Sequence, residues 1–403
     1  MLHIESYRRI VGDYPIAEIY KKARKLYGKN ILDINSTYMG GGVAEILSSM
    51  VPLINNVGID EDWRILHGNP DFFTITKKFH NALQGGKIHF TEMKKKLYLK
   101  TNEEFSAYTR LGQNQVVIIH DPQPLPLITF YKKRQPWIWR CHIDLTSPNK
   151  KLWDFLKNFI LQYDIVVISL ENYRHKDLYV DQRVIPPAID SLSPKNVELP
   201  RVTIEKYLKK FHILLDKPII TQISRFDKWK DPEGVIDVFK KVKEEVDARL
   251  ILCGSMATDD PEGYKIYERV KRKADKLIEK GDVILITSEN NILVNVLQRA
   301  SSVIIQKSIK EGFGLTVTEA LWKERPVVAS NIGGITLQIK DGETGFLLKP
   351  DDTDNFAKKV IEIIKDKELA IELGRNGKEH VRKNFLITRL IMQHLDLLNE
   401  VLS

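Results

Sequence analysis

The sequence predicts an α/β protein with two domains, each built around a doubly wound parallel sheet. The chain has 403 residues, more than a single hydrophobic core normally organises, and this length corresponds to two domains of about 200 residues each. Short apolar runs typical of buried strands alternate with longer segments of helical apolar spacing. This alternation occurs in both halves of the chain, and it is the pattern of parallel sheets that carry helices on both faces.

The first half contains four predicted strands and two well-marked helices. The strands are predicted at residues 31–35, 116–120, 137–143 and 164–170, and the helices at 44 to about 56 and at 152–161. In the second half, strands are predicted at 218–224, 249–254, 283–287, 303–306 and 327–329, and helices at 234–246, 264–280 and 315–322.

The join between the halves is predicted within residues 185–200, where prolines and polar residues interrupt the pattern and neither strand nor helix signals are strong. A final helix is predicted at about 387–402, because apolar residues recur there at helical spacing.

Composition limits the class of protein. Hydrophobic residues make up 43% of the chain and charged residues 29%, as in ordinary globular proteins. No run approaches about 18 consecutive apolar residues, and the first residues lack the apolar core of a signal peptide. We therefore expect a cytoplasmic enzyme without membrane association.

The two cysteines, Cys141 and Cys253, fall in strand-like runs, which predicts reduced, buried thiols rather than a disulfide or a zinc site.

The net charge of +9 raises nucleic-acid binding as an alternative. The basic residues are scattered, and in helices such as residues 264–280 they alternate with acids. This pattern favours solvated helix faces over a basic tract.

The nonapeptide EGFGLTVTE, residues 311–319, is the most informative segment. Gly312 and Gly314 lie in a predicted strand-to-helix loop, where glycine lets backbone N–H groups approach a ligand and the helix start suits a diphosphate. A carboxylate would repel that anion, so Glu311 and Glu319 are predicted to bind hydroxyls of a sugar or a ribose. The alternative is two solvated glutamates, but the loop lies at the carboxyl edge of the predicted sheet, where open α/β folds bind ligands.

Two cations follow the first strand of the second half. Arg225 and Lys230 lie in the segment SRFDKWK, residues 224–230, and are placed to neutralise a diphosphate with a planar fork and a flexible point charge. Two cations after a strand also occur by chance.

Three contiguous glycines, Gly40, Gly41 and Gly42, follow the first strand and open a helix. Their spacing differs from the Gly-x-Gly-x-x-Gly of dinucleotide-binding proteins, which disfavours NAD binding. A structural tight turn remains the alternative to a ligand-binding loop.

Polar residues cluster at two further strand ends, in HDPQP at residues 120–124 and WRCHID at residues 139–144. Here His142 lies near Asp121, Gln123, Arg140 and Asp144, side chains that could bind a sugar. Metal binding by His120, Asp121, His142 and Asp144 is the alternative.

Residues 311–319, with Gly333-Gly334 and DGETGF at 341–346, resemble the donor-site signature of retaining glycosyltransferase family 4, whose fold is GT-B, two Rossmann-like domains facing a deep cleft. Four strings in the first half resemble, more narrowly, the trehalose synthases of the glycosyltransferring type. They are INSTYMGGGVAEIL at 34–47, KKFHNALQG at 77–85, HDPQPLPLI at 120–128 and WRCHIDLTSPN at 139–149. One departure, Lys323-Glu324-Arg325 in place of a glycine, is expected to change a turn and not the site.

The resemblance implies an acceptor-binding domain at 1–190, a donor-binding domain at 191–384, and a terminal helix, about 385–403, that packs back on the first domain. It assigns catalysis to Arg225, Lys230, Glu311 and His142, and acceptor binding to Asp121, Gln123, Arg140 and Asp144. Donor binding falls to Gly41, Gly42, Gly312, Phe313, Gly314, Leu315, Thr316 and Glu319. No metal site is implied.

The reaction implied is reversible transfer of glucose from a nucleoside diphosphate glucose to glucose, giving α,α-trehalose with retention. A related transferase with another sugar or sugar phosphate as acceptor is the alternative.

No cofactor is required, since the nucleotide sugar is a substrate, and Mg²⁺ would act at most as a stimulating ion without a fixed site. The expected partners are the donor and glucose or trehalose, with no nucleic acid and no membrane, and a homodimer is compatible with the resemblance. A sugar sensor on an inactive scaffold would have lost one of Arg225, Lys230, Glu311 or Glu319, and all four are present.

Overall fold

The computed structural model of the protein describes residues 3–254 and 261–403. The chain divides into two compact units, one formed by Met1–Ala188 with Ile387–Ser403 and the other by Ile189–Leu386. The predicted boundaries, after residues 190 and 384, each lie two residues from these divisions.

The first unit is built on a six-stranded sheet. Its strands are β1 (Asn30–Asn35), β2 (Asp60–Ile65), β3 (Val116–His120), β4 (Trp137–Arg140), β5 (Ile165–Ile168) and β6 (Asp181–Val184). They are all parallel, in the order β2-β1-β3-β4-β5-β6. The accompanying helices are α1 (Arg8–Val11), α2 (Asp13–Ala23), α3 (Gly42–Asn56), α4 (Pro70–Leu83), α5 (Glu92–Tyr108) and α6 (Lys150–Ile160). Short 3₁₀ turns occur at Ile4–Tyr7, Arg24–Leu26, Leu125–Phe130 and Glu171–Tyr173.

Local sequence explains these elements. Every residue of β3 is buried, as expected for a central parallel strand covered on both faces. Helix α4 begins where Asn69 accepts a hydrogen bond from the backbone N–H of Phe72, 2.8 Å away, and Pro70 occupies the first helical position. The predicted β3 matches the observed strand to the residue.

Several predicted strands extend past the observed ones, including the strand predicted at residues 164–170, where β5 covers Ile165–Ile168. The strand expected at residues 137–143 ends at Arg140. The backbone N–H of Cys141 still donates to the carbonyl of Val167, but the N–H of His142 donates instead to the Asp121 carboxylate, 2.8 Å away. That side-chain contact turns the chain out of the ladder.

The second unit repeats the architecture. Its strands are β7 (Ile219–Ile223), β8 (Arg249–Cys253), β9 (Val283–Ile286), β10 (Val303–Gln306), β11 (Val327–Ser330) and β12 (Phe346–Leu348). They are parallel, in the order β12-β11-β10-β7-β8-β9. The helices are α7 (Arg201–Lys210), α8 (Pro232–Lys243), α9 (Pro261–Glu279), α10 (Asn291–Ala300), α11 (Leu315–Trp322), α12 (Ile335–Gln338), α13 (Thr353–Lys365) and α14 (Lys367–Asn384), with a 3₁₀ turn at Lys228–Lys230.

The last helix, α15 (Ile387–Val401), belongs to the first unit, where it packs against α2 and α3. Its buried face includes His394, whose Nε2 lies 3.1 Å from a carboxylate oxygen of Glu61 on β2. The helix thus supplies both apolar cover and a polar contact to the sheet.

Both cysteines are free and buried. Burial raises the pKa of each thiol, that of Cys253 to about 12, so the thiols stay protonated at neutral pH. Among the described helices, none combines the length and apolar character needed to cross a bilayer.

Candidate functional site

Each sheet has one point at which its strand order reverses. In the second unit the chain runs outward through β7, β8 and β9 and then returns to β10 beside β7. In the first unit it runs through β1 and β2 and returns to β3 beside β1. Loops that leave the carboxyl ends of strands at such a reversal form the usual ligand site of doubly wound folds. The predicted site residues cluster at both reversals.

At the second unit's reversal, Lys230 and Glu311 meet. The ammonium of Lys230, from the loop after β7, forms an ion pair with Oε2 of Glu311, from the loop after β10. Their side chains are only 16% and 10% exposed, so the pair is little screened by solvent. The hydroxyl of Ser308 lies 3.3 Å from the same carboxylate oxygen.

The backbone around Lys230 is held by two side chains. The carboxylate of Asp227 accepts hydrogen bonds from the N–H groups of Trp229 and Lys230, at 2.9 and 3.2 Å. The amide of Gln222, at the buried end of β7, donates to the carbonyl of Lys230 at 3.0 Å. These contacts fix the turn that presents the ammonium.

Arg225 is placed differently from Lys230. Its side chain is 52% exposed, and its guanidinium lies 3.7 Å from the carboxylate of Asp227. Of the two predicted cations, the ammonium of Lys230 is therefore fixed by an ion pair with Glu311, whereas the guanidinium of Arg225 is exposed to solvent.

The glycine-containing segment forms the start of α11. Gly314 is the residue before the helix and adopts a left-handed conformation, with φ of 85°. A Cβ at this position would be strained, which explains the glycine. The carbonyl of Phe313 accepts a hydrogen bond from the buried amide of Gln338, 2.5 Å away, so the loop is fixed from the side of α12.

Glu319, on α11, is fully buried. Its Oε2 accepts a hydrogen bond from the amide of Gln298 at 3.3 Å. Its Oε1 lies 3.5 Å from the ammonium of Lys195 but has no hydrogen-bond donor within the part of the chain that the structure describes. This acceptor oxygen therefore remains to be satisfied.

Lys323 completes the surroundings of Glu319. Its buried ammonium donates to the side-chain oxygens of Asn196 and Gln298, at 2.8 and 2.7 Å, and to the carbonyl of Glu319 at 3.1 Å. Because the oxygen of Gln298 faces Lys323, its amide nitrogen faces Glu319. The departure at residues 323–325 was expected to affect only a turn. Glu324 does occupy a turn, with φ of 57°, and Lys323 in addition contacts Gln298, the hydrogen-bond partner of the predicted site residue Glu319.

At the first unit's reversal, His142 joins a buried hydrogen-bonded chain. Its Nε2 lies 3.0 Å from Nδ1 of His120, and Nε2 of His120 lies 2.6 Å from Oδ1 of Asp33 on β1. The two imidazole rings stack, with centroids 5.3 Å apart. The sequence reasoning missed Asp33, although a lone aspartate within the apolar run of β1 was an available signal.

Most of the predicted acceptor-binding residues form hydrogen bonds with other groups of the first unit. Asp121 has a positive φ of 60°, and its carboxylate holds the backbone N–H of His142. Burial raises the pKa of Asp121 to about 7, against the opposing effects of that hydrogen bond and the charge of Arg140. Asp144 accepts hydrogen bonds from the backbone N–H and the hydroxyl of Thr146.

Two of these residues retain unsatisfied polar atoms. Burial lowers the pKa of Arg140 to about 10, and its Nη2 has no acceptor among residues 3–254 and 261–403. Oε1 of Gln123 likewise lacks a donor in the described chain. Buried polar atoms of this kind are the ones that a polar ligand can satisfy.

The glycine loop before α3 is exposed. Gly41 has an extended backbone, with φ of −166°, and a Cβ added to it would meet no atom within 4 Å. Nothing in the described structure therefore requires glycine at position 41.

The described residues contain no group of three or more histidine, cysteine, aspartate or glutamate side chains arranged to hold a metal ion. The candidates His120, Asp121, His142 and Asp144 instead bond to one another or to neighbouring groups.

Comparison with known proteins identifies the family. Residues 33–175 match the trehalose synthase N-terminal domain model, and residues 203–380 match the model of glycosyl transferases group 1. A trehalose synthase of Thermococcus litoralis is 49% identical over 98% of this chain and 96% of its own length. A trehalose synthase of Rubrobacter xylanophilus is 42% identical over 99% of this chain and 97% of its own.

The fold is shared with solved structures. The crystal structure of an α,α-trehalose-phosphate synthase (UDP-forming) from Burkholderia xenovorans in complex with glucose-6-phosphate has a TM-score of 0.77, at 11% identity, over 93% of this chain and all of that one. The predicted α/β class with two doubly wound parallel sheets is thereby confirmed as GT-B, and the prediction of a glycosyltransferase is confirmed as well. The chain belongs to the trehalose synthase family of glycosyltransferases.

Proposed function

We propose that the protein transfers glucose from a nucleoside diphosphate glucose to free glucose, forming α,α-trehalose reversibly and with retention of the anomeric configuration. The observation that carries the proposal is the ion pair of Lys230 and Glu311 at the strand reversal of the second unit. The ammonium of Lys230 suits a diphosphate, the carboxylate of Glu311 suits sugar hydroxyls, and the two groups are in direct contact.

The donor's leaving group determines what Lys230 does. When the bond between the anomeric carbon and the phosphate oxygen breaks, negative charge develops on the departing diphosphate. A preorganised ammonium in a site sheltered from water stabilises that charge far better than solvent does. Lys230 carries three N–H donors, so it can bind Glu311 and a phosphate oxygen together. Arg225, which is half exposed, adds a planar fork of donors for the same diphosphate.

The sugar and the ribose bind to the carboxylates. Glu311 accepts hydrogen bonds from glucose hydroxyls, and Glu319 accepts from the ribose through Oε1, the oxygen that lacks a donor in the described chain. Lys195 lies 3.5 Å from that oxygen, and a carboxylate oxygen can accept from more than one donor. The backbone of Gly312 to Thr316, at the start of α11, contributes N–H donors to the diphosphate.

The acceptor step follows from retention. A retaining transferase can form a covalent intermediate on a carboxylate, but in this proposal the acceptor hydroxyl attacks from the face that the diphosphate leaves. The acceptor oxygen bonds to the anomeric carbon, and its proton passes to the departing phosphate. The first unit supplies the acceptor contacts, from His142, Gln123 and Arg140, with Asp121 and Asp144 holding the turns that carry them. No cofactor or fixed metal is needed for this step.

The experiment is an assay of wild-type protein with UDP-, ADP-, GDP- and TDP-glucose, each offered with ¹³C-labelled glucose. Product is identified by NMR, and released nucleoside diphosphate is measured in parallel. We expect a labelled, non-reducing disaccharide with the α,α-1,1 linkage from at least one donor. Absence of trehalose with every donor would refute the proposed reaction.

A second set of acceptors tests the alternative within the family. Glucose 6-phosphate and other hexoses replace glucose in matched reactions. If transfer to one of these sugars is faster than transfer to glucose, that sugar is the acceptor in place of glucose. The assignment of the nucleoside diphosphate glucose as donor would not change.

A further inference from the structure

Five side chains of the first unit, four of them buried, form one chain of polar contacts that ends at His142. His394 on α15 contacts Glu61 on β2 at 3.1 Å, Asp33 on β1 contacts His120 at 2.6 Å, and His120 contacts His142 at 3.0 Å. All except His142 are essentially inaccessible to solvent. The proposed function uses only the last of the five.

A proton on Glu61 would link the two halves of this chain. Oδ1 of Asp33 is hydrogen-bonded to His120, and Oε2 of Glu61 is hydrogen-bonded to His394. The other oxygens, Oδ2 of Asp33 and Oε1 of Glu61, are buried without a donor within the described residues, while the two carboxyls interact with each other. A proton held on Glu61 and donated to Asp33 satisfies both oxygens.

The charge states agree with this arrangement. Burial raises the pKa of Glu61 to about 7, with His394 opposing and the charge of Asp33 adding to the rise. Burial would also raise the pKa of Asp33, but the hydrogen bond from His120, the charge of His394 and the contact with Glu61 outweigh it, and the pKa lies below its ordinary value. Burial lowers the pKa of both His120 and His142, so both imidazoles are neutral at neutral pH.

Neutral imidazoles carry one donor and one acceptor nitrogen, and the chain decides which is which. The Asp33 carboxylate accepts, so His120 must donate from Nε2. Its Nδ1 is then an acceptor, and His142 must donate to it from Nε2. The remaining nitrogen of His142, Nδ1, is therefore an acceptor.

We propose that Asp33 and His120 are positioning residues that hold His142 in the Nε2–H tautomer, so that its Nδ1 accepts a hydrogen bond from a hydroxyl of the bound sugar. This inference rests on the proposed function, which places a sugar at His142. A nitrogen lone pair binds a hydroxyl proton and repels an anionic phosphate oxygen, so the chain also selects a free hydroxyl over a phosphoryl group at this point.

The tautomer can be measured without any activity assay. In protein labelled with ¹⁵N in its histidines, long-range ¹H–¹⁵N correlation distinguishes protonated from unprotonated ring nitrogens, and His142→Gln assigns the His142 signals. We expect protonated Nε2 and unprotonated Nδ1 for both His120 and His142 near neutral pH. A protonated Nδ1 on His142 would overturn the inference.

Two isosteric acid-to-amide variants give a matched test. In Asp33→Asn, the amide oxygen faces the Glu61 proton and the NH₂ faces His120, which reverses every donor along the chain and puts the proton of His142 on Nδ1. In Glu61→Gln, the new NH₂ replaces the Glu61 proton toward Asp33, and the tautomer of His142 is expected to stay unchanged.

For Asp33→Asn we expect kcat/KM for the acceptor sugar to fall roughly 10- to 10²-fold, since the sugar hydroxyl loses its acceptor at His142. The dissociation constant for the nucleoside diphosphate, which binds the second unit, should not change, and circular dichroism checks folding. If the wild-type protein makes no trehalose, the proposed function is refuted. If the wild-type protein makes trehalose and the Asp33→Asn variant has a normal kcat/KM for the acceptor, only this inference is refuted.

Discussion

The ammonium of Lys230 lies directly on the carboxylate of Glu311, across the loops that follow β7 and β10. The two residues were predicted for different tasks, one for a diphosphate and the other for sugar hydroxyls. Their contact means that each restrains the other before any ligand arrives. The position of the charge is thus set in advance, which is the condition for electrostatic stabilisation of a leaving group.

Lys230→Ala should lower turnover by roughly 10²- to 10³-fold, because one preorganised charge stabiliser is lost. The matched control is Lys228→Ala, which removes an exposed lysine two residues away that packs over Trp229. Steady-state rates with saturating donor and glucose measure both. Turnover of Lys230→Ala within a fewfold of the control would show that the ammonium is not needed in the reaction.

Glu311→Gln should separate the charge of this residue from its hydrogen bonding. Removing the negative charge frees Lys230 to attract the nucleoside diphosphate, so product affinity should rise roughly tenfold, the scale of one unit charge at a sheltered site. Turnover should fall, since the amide is a poorer acceptor for sugar hydroxyls. Calorimetric titration with the nucleoside diphosphate measures the first effect, and weaker product binding would contradict the ion-pair argument.

Glu319→Ala should weaken donor binding, and Lys323→Met should do so indirectly. Without Lys323, the oxygens of Gln298 and Asn196 lose a donor, which should cost about 1–3 kcal/mol of folding stability. Gln298 also loses its fixed orientation toward Glu319.

A double-mutant cycle tests this coupling. The two changes should be non-additive in donor affinity because they act on one network. Lys378→Met, which breaks an ion pair with Glu324, is the control for loss of a lysine. Strictly additive effects would mean that Lys323 serves stability alone.

Gly41→Ala should leave folding intact and impair catalysis. Its backbone is extended and an added Cβ meets no atom within 4 Å, so the melting temperature should match that of Gly112→Ala, another glycine with open space around its Cβ position. Donor KM should rise only in Gly41→Ala. Unchanged kinetics would indicate that the glycine loop does not approach a ligand.

Asp121 should make the protein less stable as pH rises. Its pKa is about 7 in the folded chain against an ordinary value of 3.8, so between these values the native state binds more protons than the unfolded state. The free energy of unfolding of the wild type, relative to Asp121→Asn, should therefore fall from about pH 4 to about pH 7 and level off above it. Urea unfolding at several pH values measures the difference, and a difference that grows with pH would contradict the assignment.

Much of the fold was predictable because central parallel strands are continuous apolar runs. β3, β10 and α11 were predicted to the residue. Strand β2 was missed since its sequence, DEDWRI, carries four charges at the edge of the sheet. Helix α5 was missed for a related reason, because its apolar residues do not form a clear stripe.

The backbone geometry of the candidate site was predictable where the residues of one loop determine it. Gly314 needs its positive φ and Glu311 lies three residues before it, so both could be read locally. The contacts of Asp33 and Lys323 could not be predicted, even though Asp33 stands out as a lone aspartate in an apolar run. Their partners, His120 and Gln298, lie 87 and 25 residues away. Contacts of that range follow from the register of the sheet and the packing of α10 against α11, which the sequence pattern does not specify.

The return of α15 to the first unit sets an order for folding during synthesis. Domains usually fold in the order in which they emerge from the ribosome. Here the first unit still lacks the cover of α2 and α3, and the histidine beside Glu61, until the final helix has been made. The second unit contains no residue after Leu386, so a nascent chain stalled before residue 387 should carry a complete second unit and expose an incomplete first unit to proteases.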